Sequence, residues 1–310
     1  MGTANARAAK NGEPVGMAGS MLAVVANTEK LGKDDRRHLR DALAGAGHVD
    51  PEWIDVTGGS AATAATKKAL KHGATTVLVC GGDGTVRAAA EAMVGTAARL
   101  AILPCGTANL LASGLGLPST IDDVVDMLVA GGERRIDSAT CNDRTFNVMA
   151  GVGFDVAMLG GAEDGKERLG MLAYIGSAVR EARHRKTFAL TVTVDGKRCF
   201  SGRSSCLLVG NAGRLKGGVV AFPGASSTDG LLHVAVVTAT GLRQWGTLVT
   251  RVLIRRQRWS GQAQFASGAA ITVKFEKKQR FELDGGVKSQ AKRLEFESRP
   301  RSLTVCAPVS

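Results

Sequence analysis

Two segments that each join a β-branched run, a glycine-bearing turn and a helical pattern constrain the fold most strongly. The first spans residues 75–93 and contains the turn GGDGT, and the second spans residues 99–118 and contains the turn PCGTAN. In each segment an apolar strand leads through a Gly-Thr turn directly into a helix. Repeated alternation of this kind predicts right-handed βαβ units in a doubly wound parallel sheet, with ligands bound beyond the carboxyl ends of the strands.

The two turns are suited to binding phosphate. Backbone N–H groups at a helix N-terminus point outward, and the helix dipole favours negative charge there. Gly81, Gly82 and Gly84 allow the close backbone approach that a phosphate cradle needs. Neither turn matches a Walker loop or the Gly-x-Gly-x-x-Gly dinucleotide fingerprint. A pair of ordinary βα turns is the alternative interpretation.

The rest of the first half continues the strand–helix alternation. We predict a strand at residues 21–27, a helix capped by Asp34 or Asp35, a strand at 53–57, a helix at 60–72 and a helix capped by Ser119 or Thr120.

From about residue 136 the pattern changes to short alternating strands. Asp195-Gly196 between two such runs is typical of a β-hairpin, and AAITVKFE and RFELD are predicted as two further strands. One helix is expected near residues 166–183. The predicted units are therefore a disordered tail (1–20), an α/β domain (21–136), a mostly antiparallel, β-sandwich-like domain (137–301) and a terminal strand (302–310).

Charge is distributed unevenly between the two halves. Residues 1–136 contain fourteen basic and fourteen acidic side chains, whereas residues 137–310 contain twenty-six basic and fourteen acidic ones. An excess confined to the second half indicates a polyanionic partner, either nucleic acid or an anionic membrane surface. Generic solubility charge is the alternative. Since no stretch reaches ~18 apolar residues, any membrane contact is expected to be peripheral.

The cysteines and the N-terminus point to the cytoplasm. Six cysteines are scattered without a C-x-x-C pair, which favours reduced thiols over a zinc site or a disulfide framework. The first twenty residues lack the apolar core of a signal peptide.

The ordered set of motifs resembles the diacylglycerol kinase catalytic-domain family of soluble lipid kinases. The set is GGDGT, P-x-GT-x-N, GVGFD (151–155), KERLGMLAYI (166–175), FPGASSTDGLL (222–232) and FELDGG (281–286). The resemblance implies ATP- and Mg²⁺-dependent transfer of the γ-phosphoryl group to a lipid hydroxyl, with diacylglycerol as the first candidate acceptor. It favours an anionic inner membrane surface over nucleic acid as partner, implies that the terminal strand returns to the first domain, and leaves a homodimer open.

The same resemblance implies which residues form the ATP and cation sites. The ATP contacts are Asn27, Thr57, Gly81, Gly82, Asp83, Gly84, Thr85, Gly106, Thr107 and Asn109. Asp83 also takes a Mg²⁺-linked role, because a carboxylate beside phosphate needs a cation or a hydroxyl as partner; helix capping is the alternative. Asp137 matches another acidic position of the metal network. A structural cation is implied at Ser226, Asp229 and Leu231, with a plain Asp-Gly turn as the alternative.

Asp284 matches the general base of the family, although its spacing alone marks only a β-turn. The family usually places an acidic residue after Asp-Gly, whereas this chain has Gly286. Glu282 lies two residues before Asp284 on the same strand face, and Leu110 is a weaker departure from the family pattern. Two other functions stay open: an NAD kinase-like small-molecule kinase, and a catalytically weak lipid- or nucleotide-binding regulatory protein.

Residues 241–259 combine an apolar face with a basic one. Helical spacing places Trp245 with aliphatic residues on one face and Arg251, Arg255 and Arg258 on another. An interfacial membrane helix pairs such faces, and a helix packed on its own domain is the alternative.

Overall fold

The computed structural model describes residues 21–153, 187–213, 222, 224–241, 243–245, 247 and 261–309, without the side chains of residues 287 and 288. The predicted tail, the helix near residues 166–183 with its KERLGMLAYI motif, and most of the basic segment 241–259 lie outside these ranges. Within the described ranges, no helix is both long and apolar enough to cross a lipid bilayer.

The first half is a parallel sheet with helices on both faces. Its strands are β1 (Leu22–Asn27), β2 (Glu52–Val56), β3 (Thr76–Gly81) and β4 (Arg99–Pro104), in the order β4-β3-β1-β2. Its helices are α1 (Lys33–Gly45), α2 (Gly59–Lys71), α3 (Asp83–Met93), α4 (Leu110–Leu115) and α5 (Ile121–Ala130). Helices α2 and α3 cover one face, and α1 and α5 cover the other. Because both faces are covered, β1 and β3 are buried along their whole length, which explains their apolar sequences.

Two helix starts test the predicted caps. Thr120 is the N-cap of α5, and its hydroxyl accepts the N–H of Asp123 at 3.3 Å, as predicted. The prediction that Asp34 or Asp35 caps α1 is wrong. The N-cap is Gly32, and both acidic residues lie in the first turn, where they complement the helix dipole.

The second half is antiparallel, which confirms the predicted fold class. Its strands are β5 (Glu133–Cys141), β6 (Arg144–Phe146), β7 (Met149–Val152), β8 (Phe188–Val194), β9 (Lys197–Ser204), β10 (Cys206–Gly210), β11 (Leu232–Val237), β12 (Ala263–Gly268), β13 (Ala270–Leu283) and β14 (Val287–Cys306). The Asp195-Gly196 hairpin is present, with φ angles of 46° and 79° that fit a type I′ turn. The two strands predicted from AAITVKFE and RFELD form a single strand, β13, with a register shift between Lys274 and Gln279.

Strand β14 joins the two halves. It is 20 residues long and pairs antiparallel with β13 and β5. Near its end it pairs in parallel with β4, where Thr304 lies opposite Arg99. The hydrogen-bonded sheet therefore runs continuously from β12 to β2. The predicted unit boundaries at residues 136 and 301 fall inside β5 and β14.

Leu303 offers a test of this connection, because it lies on β14 but packs in the core of the first half and is 0% exposed. We predict that Leu303→Ala lowers the free energy of unfolding by about 2–5 kcal/mol in urea denaturation, since it leaves a cavity in that core. Val309→Ala, at a position that is 69% exposed, is the control and should change it by less than ~0.5 kcal/mol. Equal, small effects of both substitutions would contradict the assignment of β14 to that core.

Candidate active site

The two glycine turns lie against each other at the carboxyl end of the parallel sheet. Gly81 is opposite Pro104 in the β3–β4 ladder, so the turns that follow are neighbours. Their backbones meet at Gly82 and Gly106: a Cβ built on Gly106 would lie 2.6 Å from the Cα of Gly82. Only glycine allows this approach without displacement of the chain. The fold thus combines the turns into one glycine-lined surface at two helix N-termini.

The Asp83 carboxylate ties the first turn to the second. It accepts the backbone N–H of Asn109 at 2.9 Å and also that of Leu110, at the start of α4. Asp83 therefore caps α4. The N-cap of its own helix, α3, is Gly82, which makes no side-chain cap hydrogen bond. The sequence left capping open but gave no indication of this distant partner. A carboxylate is also a type of ligand that a hard cation such as Mg²⁺ prefers.

Asn27 and Thr85 connect β1 to the start of α3. The Asn27 Nδ2 donates to the Thr85 Oγ1 at 2.9 Å, and both residues are buried. The Thr85 side chain fills the space beside Gly81, where an added Cβ would lie 2.7 Å from its own Cβ. Thr57, after β2, and Thr107, in the second turn, are exposed. All these positions follow the carboxyl ends of parallel strands, so the structure brings the predicted ATP contacts to one edge.

Asp284 lies in the tight turn between β13 and β14, with a φ angle of 44°, and is 4% exposed. Its Oδ2 accepts the N–H of Asn147 at 2.8 Å. Its Oδ1 accepts the N–H groups of Val148 and Met149, both at 2.9 Å. The carboxylate is thus held by three consecutive backbone amides between β6 and β7.

Two opposing influences set the charge of Asp284. Burial raises the pKa of Asp284 to about 6, and the three backbone N–H groups together with the Arg87 guanidinium limit that rise. The carboxylate is therefore ionised at neutral pH and protonated in mild acid. A pKa just below the operating pH suits a general base.

The Asp284 turn touches the first glycine turn. A Cβ built on Gly286 would lie 3.6 Å from the Cα of Gly84, an ordinary van der Waals distance. The predicted base and the predicted phosphate cradle, some 200 positions apart in the chain, are therefore neighbours. Glu282 is also buried, on β13 opposite Gly151 of β7.

The turn of residues 226–231 is closed by its own carboxylate. The Asp229 side chain accepts the N–H groups of Ser226 and Leu231, both at 2.9 Å, and contacts the His233 ring at 3.0 Å. This is the geometry of an Asp-Gly turn. In the described part of the chain, no group of three or more His, Cys, Asp or Glu residues is arranged to hold a metal ion. The structural cation at this turn stays a prediction.

Asp137 lies beside the same turn and is fully buried. Its carboxylate accepts the N–H groups of Gly230 and Arg301, both at 2.7 Å, and its own N–H donates to the carbonyl of Ser227 at 2.7 Å. These contacts link the turn to β5 and β14. The metal role of Asp137 likewise stays a prediction.

Sequence reasoning did not identify Arg87, Asn147 or Asn211 as parts of the site. Arg87, on α3, pairs with Glu91 at 3.1 Å. Asn147 and Asn211 are both buried and touch each other. The signal available was a lone asparagine inside or beside an apolar run, as in TFNVMAG and LLVGNAG. Buried amides are usually hydrogen-bonded, and the Asn211 Nδ2 is, but the side-chain amide of Asn147 has no hydrogen-bond partner among the described residues.

Fold and site together define a two-domain class in which a glycine-lined α/β turn surface meets an aspartate of an antiparallel β domain. A family model for the diacylglycerol kinase catalytic domain matches residues 21–141. A model for the YegS C-terminal NAD kinase beta sandwich-like domain matches residues 148–307. The chain therefore belongs to the diacylglycerol kinase catalytic-domain family, in the form that carries the YegS C-terminal domain, and this confirms the resemblance seen in the motifs.

Individual relatives agree with this membership. A Pseudomonas putida KT2440 protein named "Probable lipid kinase YegS-like" is 32% identical over 246 residues, which are 78% of this chain and 80% of that protein. An uncharacterized Synechocystis sp. PCC 6803 protein is 30% identical over 239 residues, 75% of this chain. The matched region spans only 55% of the length of the Synechocystis protein.

Two solved structures show the same fold. A diacylglycerol kinase from Bacillus anthracis str. Sterne superposes with a TM-score of 0.70 at 19% identity, covering 93% of this chain and 96% of that one. An NAD kinase from Archaeoglobus fulgidus in complex with ATP superposes with a TM-score of 0.53 at 12% identity, covering 92% and 93%. At these identities the similarity concerns the fold alone.

The contact between the two glycine turns can be tested with Gly106→Ala. The new Cβ would overlap the Cα of Gly82 and lie 2.9 Å from the Oδ1 of Asn109, so we predict that the turns separate and that the melting temperature falls by several degrees, as for about 1–3 kcal/mol of overpacking. Gly84→Ala is the control, because nothing lies within 4 Å of its Cβ, and it should leave the melting temperature unchanged or raise it. Unchanged melting of Gly106→Ala would contradict the close contact.

Proposed function

We propose that this protein is an ATP-dependent lipid kinase that transfers the γ-phosphoryl group to a lipid hydroxyl, with diacylglycerol as the first acceptor and phosphatidic acid as its product. The observation that carries the proposal is the contact between the Asp284 turn and the glycine turn at Gly84, at 3.6 Å for an added Cβ. This proximity supports a role for the Asp284 carboxylate close to the surface that we propose binds phosphate. Membership of the family and the name of the Pseudomonas relative support the same function.

In this proposal the two glycine turns receive the phosphates of ATP. The N-terminus of α3 presents backbone N–H groups at this surface, where its helix dipole favours negative charge. The amides of Asn109 and Leu110 at the start of α4 already donate to Asp83. Asp83 would hold Mg²⁺ together with the phosphate oxygens, and the ion would neutralise charge that develops during transfer. The hydrogen bonds that Asp83 accepts from backbone N–H groups after the second turn would hold the two turns in a fixed relative position.

Asp284 acts on the acceptor. As the lipid hydroxyl oxygen attacks the γ-phosphorus and the bond to the leaving ADP oxygen breaks, the hydroxyl proton passes to the Asp284 carboxylate. The Oδ2 is the better proton acceptor of the two oxygens, because it accepts one of the described backbone N–H hydrogen bonds whereas the Oδ1 accepts two. The fixed amides hold this oxygen in one position, which lowers the entropic cost of the step.

A catalytically weak lipid or nucleotide sensor is the second candidate, and Gly286 favours it. The acidic residue that the family places after Asp-Gly is absent, so metal control at this turn is weakened. A side chain would fit at this position, since Gly286 is exposed and its added Cβ makes only an ordinary contact.

We further propose a peripheral contact of the second half with an anionic membrane surface, where a lipid acceptor would be found. The charge excess of residues 137–310 supports this contact.

For the base, we predict that Asp284→Asn lowers kcat by about 10²–10⁴-fold with little change in ATP affinity, because the residue meets the acceptor hydroxyl. Because the pKa of Asp284 is raised to about 6, kcat of the unmodified protein should be constant above that pH and fall about tenfold per unit below it, as the base is protonated. The measurement is transfer of label from ATP, with Mg²⁺, to a panel of micellar lipids and to NAD.

Asp195→Asn is a matched control for this substitution. Asp195 starts another Asp-Gly hairpin turn with nearly the same φ angle, 46°, but lies outside the site, so its variant should keep full turnover. Labelling of NAD in preference to lipids would replace the proposal by the NAD kinase alternative. If no acceptor is labelled and Gly286→Glu does not restore transfer, the sensor is the better description.

For the membrane contact, we predict binding to vesicles that contain anionic phospholipid and little binding to neutral vesicles. Binding should weaken steeply as salt is raised, since each Lys or Arg near the surface contributes about 1 kcal/mol of screenable attraction. Cosedimentation at several salt concentrations measures this. Equal binding to anionic and neutral vesicles would show that the excess charge serves another purpose.

A further inference from the structure

Asn211, directly after β10, is a buried side chain that the proposed mechanism does not use. It is 0% exposed, and its Nδ2 donates to two backbone carbonyls, that of Asn147 at 2.9 Å and that of Asp137 at 2.8 Å. Both protons of its side-chain amide are therefore used in hydrogen bonds. Its backbone N–H donates to a third carbonyl, that of Val148, at 2.9 Å.

These bonds reach Asp284 through rigid peptide planes. The carbonyl of Asn147 and the N–H of Val148 belong to one planar peptide group, as do the carbonyl of Val148 and the N–H of Met149. In the first plane the Asn211 Nδ2 donates to the carbonyl of Asn147, and in the second its backbone N–H donates to the carbonyl of Val148. The N–H on the opposite side of each plane donates to the Asp284 Oδ1 at 2.9 Å. The orientation of both donors is thus set by Asn211.

The other end of the link is equally well anchored. Asp137, whose carbonyl takes the second Nδ2 proton, is fully buried and holds the turn of residues 226–231 and β14 through its carboxylate. Asn211 therefore bridges this fixed point and the amides that hold the Asp284 carboxylate. A hydrogen-bonded path runs from the 226–231 turn to the side chain of the base.

We propose that Asn211 is a positioning residue for phosphoryl transfer, which aims the Asp284 carboxylate by fixing the two peptide planes that donate to it. This inference rests on the proposed function. A displacement of about 1 Å in a reacting group can cost on the order of 10²-fold in rate, so the loss of the two Nδ2 hydrogen bonds, which frees the Asn147–Val148 peptide plane while the backbone bond to Val148 remains, should appear in kcat. ATP binding, at the glycine turns, should be unaffected.

The test compares Asn211→Leu, which keeps the approximate volume but has no side-chain donor, with Ser204→Ala. Ser204, the last residue of β9, lies near the opposite end of β10 and is also fully buried. Its hydroxyl oxygen is 2.7 Å from the carbonyl oxygens of both Cys206 and Val237, and its single proton is donated to one of them at a time. It therefore controls for lost stability in the same sheet. Asn211→Ser, which keeps one donor, is the second variant and replaces Asn211→Leu if that chain does not fold.

Four quantities are measured for each full-length variant: kcat and KM for ATP across pH, the melting temperature, and hydrogen exchange of the amides of residues 147–149. We expect Asn211→Leu to lower kcat by about 10- to 100-fold, to leave KM for ATP within about twofold, to shift the acid limb of the profile and to speed exchange at residues 147–149. Asn211→Ser should lie between it and the unmodified protein. Ser204→Ala should lower only the melting temperature.

The inference is overturned if the Asn211 variants keep the kcat, the pH profile and the slow exchange of the unmodified protein. It is also overturned if Ser204→Ala changes kcat, the pH profile and exchange as much as the Asn211 variants do. Hydrogen exchange separates this result from a failure of the proposed function. If the unmodified protein phosphorylates no acceptor, the kinase proposal fails. Hydrogen exchange alone then tests whether Asn211 fixes the Asp284 carboxylate. Faster exchange at residues 147–149 in the Asn211 variants, but not in Ser204→Ala, would still show that Asn211 fixes the Asp284 carboxylate.

Discussion

The burial of the Asp284 carboxylate is the constraint on which the geometry of the candidate site depends. A carboxylate removed from water is costly unless hydrogen bonds replace its hydration. Here three backbone amides of residues 147–149 do so, and they can reach Asp284 only if β6 and β7 lie against the β13–β14 turn. Gly286, in that turn, then lies close to Gly84 of the α/β domain. Satisfying one charged group therefore fixes the turn that faces the first glycine turn, while the pairing of β14 with β4 joins the two halves.

Other carboxylates in the structure also accept backbone N–H groups. Asp83 binds the amides at the start of α4, Asp137 those of Gly230 and Arg301, and Asp229 those of its own turn. Asp83 and Asp137 join a loop to another part of the chain, Asp229 closes its own turn, and hydrogen bonds to a charged group contribute more than neutral ones. Acidic residues that a motif identifies as metal ligands are thus also the groups that hold the loops of the site in shape.

The sequence predicted features whose causes are local. The cap at Thr120, the type I′ turn at Asp195-Gly196 and the strand–turn–helix segments around GGDGT and PCGTAN each depend on a few adjacent residues. It did not reveal the contacts of Asp83 with α4 or of Asn211 with Asn147, because these join residues 26 and 64 positions apart. For Asp284 the turn was predictable locally, whereas its burial and its neighbours depend on the pairing of β13 with β7. Gly32 at the start of α1 shows that even a local cap can be displaced, in this case by two to three residues from the predicted acids.

The parallel pairing of β14 with β4 has a consequence for biosynthesis. As the ribosome extends the chain, residues 21–130 can form their strands and helices early, but one side of β4 has no partner until residues 304 and 305 emerge. An unpaired strand edge is a template for association with other chains, and non-local pairing is slow to form. The nascent α/β domain therefore keeps an open sheet edge through the synthesis of most of the second half, until residues 304 and 305 pair with β4.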